Sequence, residues 1–250
     1  MTELIGTGVH ESVREHYAQL ARSNDACCGA SSNVTLYPEV LTAELPSEIA
    51  AFSLGCGDPI TLAGLKAGDV IVDLGAGGGL DCLMAAKQVG ETGRVIGVDM
   101  TPEMIAKARA NAAKVGVGNV EFRQGYIEAL PVANGEASVV ISNCVINLSP
   151  DKPRVFREIF RVLKPGGRLA VSDIVTNGPL PEVVQNDQEA WSACVAGALE
   201  VADFRAGLEA AGFVEVSIEP AKQFGARPAA QAPFSALITA RKPGDSTATG

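Results

Sequence analysis

The chain has 250 residues, 47% of them hydrophobic and 20% charged, values of a globular protein long enough to bury one good core with additions. Its net charge of −9 argues against a nucleic-acid partner, because no basic stripe is present to neutralise phosphates. Met1–His16 mixes Glu3, His10, Glu11, Arg14 and Glu15 with few apolar residues and does not read as a signal peptide; no apolar run approaches the roughly 20 residues of a membrane span. Six cysteines in such a chain point to thiols in a reducing, cytoplasmic setting, read as ligands, redox groups or core residues before static disulfides.

Val9–Ala21 places Val13, Tyr17 and Leu20 on a weak helical stripe suited to lying on another surface. Arg22–Asn33, rich in turn formers, reads as a loop holding Cys27 and Cys28. Two proline-punctuated short helices follow, Pro38–Leu45 and Pro46–Phe52, and then a loop, Gly55–Pro59, with Cys56. From Val70 the pattern becomes regular: strands at 70–74, 94–99, 120–124, 137–143 and 168–175 alternate with helices near 79–89, 102–115 and 151–163. That alternation predicts an α/β fold, a doubly wound, mostly parallel seven-stranded sheet covered on both faces. Pro165–Gly167 reads as a turn, 176–200 as an irregular insertion carrying Trp191 and Cys194, Val201–Ala211 as a helix, and 213–219 and 234–240 as closing strands. The expected organisation is an N-terminal extension or lid (1–67), a nucleoside-binding core (68–175), a substrate-side insertion with the closing strands (176–242) and a disordered tail (243–250).

The stretch Val70–Asp81, V-I-V-D-L-G-A-G-G-G-L-D, is a buried strand running into a glycine turn and a helix start. A P-loop would close on Gly-Lys-Ser/Thr, and a dinucleotide fingerprint would put a third glycine where Leu80 stands; both fail. Asp73, just ahead of the glycines, repels a pyrophosphate and suits a cationic ligand. Asp99 ends the second strand, where doubly wound folds hold ribose hydroxyls, so a positively charged nucleoside fits better than a dinucleotide.

Together, Asp73–Gly79, Val98–Thr101 and Leu163–Leu169 resemble the S-adenosylmethionine-dependent methyltransferases of the Rossmann-like class. The resemblance implies that Gly75 and Gly77 face the methionine and ribose, that Asp99 takes the ribose hydroxyls, and that Met100 packs on the adenine. Tyr126, Ile127 and Glu128, past the third strand, would hold the adenine edge, although ordinary core packing explains Tyr126 and Ile127 equally well. Asn143, at the end of the fourth strand, would sit near the sulfonium.

A general-base histidine is poorly supported, since His10 and His16 lie far upstream of the sheet. The substrate-facing loops carry thiols instead, with Cys82 the exception inside a helix. Ser142–Lys152, Gln124–Glu128, Val98–Thr101 and Cys194–Ala198 are similar to the arsenite S-adenosylmethionine methyltransferases. In that family four cysteines serve, and they match Cys28 (or its neighbour Cys27), Cys56, Cys144 and Cys194. The resemblance implies detoxifying transfer of a methyl group to trivalent arsenic, arsenite or its thiol conjugates, which soft thiolates bind well. Cys144 and Cys194 would ligate the arsenic, while Cys28 and Cys56 would return two electrons by forming a disulfide that thioredoxin or glutathione reopens. The family loop carries serines and an arginine where this chain has Ala76, Gly78 and Leu80. Two other readings remain: a C- or O-methyltransferase of a small metabolite with incidental cysteines, and a non-catalytic arsenic-binding protein.

Overall fold

The structure is a computed structural model that describes residues 8–23, 37–52, 55–185, 187–192, 194–221 and 232–244. In chain order its elements are α1 (Gly8–Ser23), α2 (Glu39–Thr42), α3 (Ser47–Ala51), α4 (Pro59–Ala63), β1 (Val70–Leu74), α5 (Leu80–Val89), β2 (Arg94–Asp99), α6 (Pro102–Val115), β3 (Val120–Gln124) and β4 (Ala137–Asn143). A 3-10 turn, Ile146–Leu148, leads to α7 (Lys152–Val162), β5 (Leu163–Thr176), α8 (Glu182–Gln185), α9 (Gln188–Ser192), β6 (Leu199–Glu200), α10 (Val201–Ala210), β7 (Val214–Pro220) and β8 (Phe234–Arg241).

The sheet order is β3-β2-β1-β4-β5-β8-β7, with the two-residue β6 added beside β5. Strands β1 to β5 pair in parallel and β8 runs antiparallel to both β5 and β7. This is the expected doubly wound fold with one strand more than the seven anticipated, because β6 forms inside the supposedly irregular insertion, next to the short helices α8 and α9. Pro165–Gly167 is not a separate turn: β5 begins at Leu163, opposite Ala137, and the extra residues are taken up by a register shift before Val139 meets Arg168. Helix α4 was not anticipated either, yet its start is legible, since Asp58 accepts from the Thr61 amide at 2.9 Å ahead of an N1 proline.

The period-two alternation of β1 divides the core. Val72 and Leu74 pack with Val155, Phe156 and Ile159 of α7 and Phe204 of α10, whereas Ile71 packs with Leu83 of α5 and Ile60 of α4 on the other face. The sheet order reverses at β1, between β2 and β4, and a crevice opens beyond the strand ends at such a switch point. Helix α1 docks against α6 and α9, and its His10 and Tyr17 reach the rim of that crevice. Among the described residues no helix is long and apolar enough to cross a membrane.

Candidate active site

A cavity open to solvent lies at the C-terminal ends of β1, β2 and β4. Gly75, Gly77, Asp99, Met100, Tyr126, Ile127, Glu128 and Asn143 line it, bringing together eight of the nine residues predicted for the nucleoside. Gly75 turns the chain with φ 67°, and a Cβ there would stand 2.3 Å from Val145 Cγ2, so only glycine fits. Asp99 Oδ2 accepts from the Gly77 amide at 2.9 Å and Oδ1 from the Thr101 amide at 2.8 Å, which fixes the carboxylate at the rim of the glycine loop. Burial raises its pKa above the ordinary value, and those two amide bonds oppose the rise.

Asp73 is the exception. It is buried beneath the loop on the same face of β1 as Ile71, accepts a hydrogen bond from the Cys82 thiol at 3.1 Å, and does not line the cavity. The alternation that puts Val72 and Leu74 toward α7 turns Asp73 toward α5, which residue type alone did not disclose. Burial, followed by the nearby Asp81, pushes the Asp73 carboxyl well above its usual range.

Asp81 takes the cavity-facing place instead, and was noted in the sequence only as a departure from the P-loop. Tyr37 Oη donates to Asp81 Oδ1 at 2.7 Å; Asn143 Nδ2 stands 2.8 Å from Tyr37 Oη, 3.2 Å from Asp81 Oδ2 and 2.9 Å from the Gly57 carbonyl. Asn143 Oδ1 accepts from the Cys56 amide at 2.9 Å. Asn143 therefore ties the Cys56–Gly57 segment and Tyr37 to the end of β4. Burial pushes the Asp81 carboxyl up to about 6 despite the bonds from Tyr37 and Asn143.

Three of the four predicted cysteines meet beside this node. Cys56 and Cys144 are joined in a disulfide, Cα–Cα 5.9 Å, and the Cys194 thiol donates to the Cys144 carbonyl at 3.1 Å. Gly57 lets the Cys56 loop lie on the sheet end, where a Cβ would meet Ser172 Oγ at 2.1 Å. Cys144 and Cys194 both hold left-handed backbone, φ 57° and 61°, conformations that non-glycine residues keep only when the surroundings impose them. Both pack with Val13 and Leu148 in a small apolar cluster against which Tyr17, Met100 and Trp191 rest. Cys144 lines the cavity. Cys27 and Cys28 lie outside the described residues, so the Cys28–Cys56 pairing is not seen; Cys56 is bonded to Cys144 instead. With that bond closed, no group of three or more His, Cys, Asp or Glu side chains among the described residues is arranged to hold a metal ion.

His10, far upstream of the sheet in sequence, is brought back to the cavity by the fold. Across 118 residues its Nε2 meets Glu128 Oε1 at 3.0 Å, the ring stands edge-on to Tyr126 at 5.2 Å, and both His10 and Glu128 are buried. Ser149 Oγ donates to the same carboxylate oxygen. Burial works against the Glu128 charge, but the bonds from His10 and Ser149 hold its carboxyl below the ordinary range. Glu128 thus anchors α1 over the cavity, a long-range pairing with no local sequence signal.

The sheet order, glycine loop and strand-end carboxylates define a Rossmann-like methyltransferase domain, and residues 65–212 match the methyltransferase domain family model. The chain is 47% identical over 228 residues to an arsenite methyltransferase of Halobacterium salinarum, covering 84% of this chain and 58% of the relative. It is 36% identical over 213 residues to the arsenite methyltransferase of Homo sapiens, covering 80% of this chain and 56% of that one. The crystal structure of an arsenic(III) S-adenosylmethionine methyltransferase from Chlamydomonas reinhardtii superimposes with TM-score 0.71 at 35% identity, covering 87% of this chain and 76% of that chain. The chain belongs to the methyltransferase domain family and, within it, to the arsenite methyltransferases. It spans a little over half the length of the curated relatives it matches.

Proposed function

We propose that the chain moves the methyl group of S-adenosylmethionine to trivalent arsenic held by Cys144 and Cys194, a detoxifying methylation that works with a thiol reductant. The observation that carries this reading is the meeting of Cys56, Cys144 and Cys194, from three distant parts of the sequence, at Cys144, which lines the nucleoside cavity.

The cavity fits the methyl donor. Asp81, Asp99 and Glu128 line it with no lysine or arginine among its described residues, a setting that favours a sulfonium and an ammonium and opposes a pyrophosphate. When bound, S-adenosylmethionine supplies an electrophilic methyl group. Asp99, already oriented by Gly77 and Thr101, takes the ribose hydroxyls; Met100, Tyr126 and Ile127 flank the adenine; and Asn143 sets the sheet end near which the reacting atoms meet.

The cysteines do the rest. In the bonded state Cys144 has no thiolate to offer, so a dithiol or two monothiols must first reduce the Cys56–Cys144 bond, becoming a disulfide themselves. Cys144 and Cys194, as thiolates, then ligate trivalent arsenic and aim its lone pair. Transfer breaks the carbon–sulfur bond and forms a carbon–arsenic bond using that pair, so acceleration comes from placement rather than from a general base. Arsenic becomes pentavalent, and two thiols closing to a disulfide return two electrons with release of two protons. Cys56 partners this step, with Cys144 as the structure pairs it or with Cys28 as the family match implies. The N-terminal extension, residues 1–67, acts as the lid that brings these thiols in.

The test is direct. Protein incubated with arsenite, methyl-labelled donor and a thiol reductant yields labelled arsenicals; protein reduced beforehand and freed of reductant yields at most one turnover, and the disulfide-bonded protein without reductant yields none. Label passing to arsenic in Cys144→Ser and Cys194→Ser alike would overturn the assignment; binding of arsenite without transfer would make the chain a sequestering protein.

A further inference from the structure

We infer that Asn147 and Lys152 are positioning residues that set the register of Cys194 against Cys144; this rests on the arsenic-ligand reading above. The short turn that follows Cys144 grips the Cys194 segment on both sides. Asn147 is fully buried, and its Nδ2 donates to the Cys194 carbonyl at 3.1 Å and to the Ile174 carbonyl at 2.8 Å. Its amide donates to Asp173 Oδ2 at 3.2 Å, and Asp173 is itself held by the Ile174 amide at 2.8 Å, which seats the turn on β5. On the far side, Lys152 Nζ donates to the Ser149 carbonyl at 2.8 Å and lies 5.3 Å from the centroid of the Trp191 ring. The Trp191 indole N–H donates to the Leu148 carbonyl at 3.2 Å. Gly197 closes the grip, since a Cβ there would stand 2.0 Å from the Asn147 carbonyl oxygen and 3.4 Å from Lys152 Nζ.

The Asn147, Trp191 and Gly197 contacts join 147–152 to 191–197 and to β5, the Lys152–Ser149 and Ile174–Asp173 bonds brace the two sides, and Cys144 is only three residues ahead of Asn147. A dithiolate site needs its two sulfurs at one separation, and an error of about 1 Å at a reacting centre is costly. Left-handed backbone at Cys194 persists only under external restraint, and the Asn147 amide supplies that restraint at the carbonyl of Cys194 itself. Asn147 Oδ1 is buried with no hydrogen-bond partner in the described structure, so the side chain is held there by what its Nδ2 donates.

The test uses the full chain with Cys27, Cys28 and Cys56 changed to serine, which leaves Cys144 and Cys194 as the dithiol, beside Cys82. Phenylarsine oxide, which bridges two thiols, is titrated by the fluorescence of Trp191, the only tryptophan. Asn147→Asp and Lys152→Met are each expected to weaken phenylarsine oxide binding about tenfold. Alkylation of Cys194 by iodoacetamide, which needs one thiol, and S-adenosylhomocysteine affinity are expected to stay within about twofold. A merely structural loss would move all three. Undiminished phenylarsine oxide binding in both variants overturns the inference, as does a parallel fall in all three readouts. If Cys144→Ser or Cys194→Ser in the same background leaves phenylarsine oxide binding intact, the arsenic-ligand reading fails and the positioning role falls with it.

Discussion

The Cys194 thiol donates to the backbone carbonyl of Cys144 at 3.1 Å, and the two residues share left-handed backbone at φ 61° and 57°. A side chain at that φ costs on the order of 1 kcal/mol that glycine avoids. Cys194→Gly is therefore expected to be about 1 kcal/mol more stable than Cys194→Ala in urea denaturation, with arsenical binding lost in both. Equal midpoints would remove strain from the account of this residue.

Closing Cys56 to Cys144 spans 88 residues of sequence. By the chain-entropy estimate, such a loop stabilises the fold by about 4 to 5 kcal/mol, so reduction should lower the urea midpoint substantially. Cys56→Ser should show the same low midpoint with or without reductant. Peptide mapping of the unreduced protein should recover Cys56 and Cys144 in one linked fragment.

Asp99 carries two backbone amides as well as the expected ribose hydroxyls. In Asp99→Asn one donor-bearing amide group must face a backbone N–H. S-adenosylhomocysteine affinity, measured by calorimetry, should fall at least tenfold, since hydrogen bonds to a charged group contribute roughly 1.5–3 kcal/mol. Asp73→Asn should alter stability far more than affinity, because Asp73 lies beneath the loop and not in the cavity.

Burial raises the Asp81 carboxyl to about 6, from the 3.8 of an ordinary aspartate. A group whose pKa is raised on folding adds stability below its unfolded pKa, and that stability is lost as pH climbs through the folded value. The ligand-free protein should thus lose stability between pH 4 and 6 through this group, and Asp81→Asn should flatten that part of the profile. S-adenosylmethionine should restore stability most at higher pH, where the carboxylate is charged and a cation is welcome.

Glu128 behaves oppositely, since the bonds from His10 and Ser149 hold its carboxyl low in spite of burial. Its stabilising effect is present above the ordinary glutamate pKa and disappears as pH falls through the lowered folded value. Protection of the α1 amides, taken relative to the intrinsic exchange rate at each pH, should fall on acidification and should already be low at neutral pH in Glu128→Gln. Exchange in β1 and β4 should not follow.

The sequence by itself determined the alternation of strands and helices from Val70 onward, the glycine turn, Asp99 at a strand tip and the thiol-rich loops. These are local signals: hydrophobic period, turn residues and spacing are written within a few positions of one another. It also carried the likeness to the arsenite methyltransferases, written in short motifs such as Val98–Thr101 and Ser142–Lys152. Tertiary structure alone decided partnership. Which face of β1 Asp73 takes, which thiol Cys56 bonds, that Asp81 rather than Asp73 faces the cavity, and that His10 crosses 118 residues to Glu128 all depend on how distant segments pack. A hydrogen bond or disulfide between remote residues is fixed by the geometry of the whole sheet and its covering helices, and no window of sequence contains both ends of it.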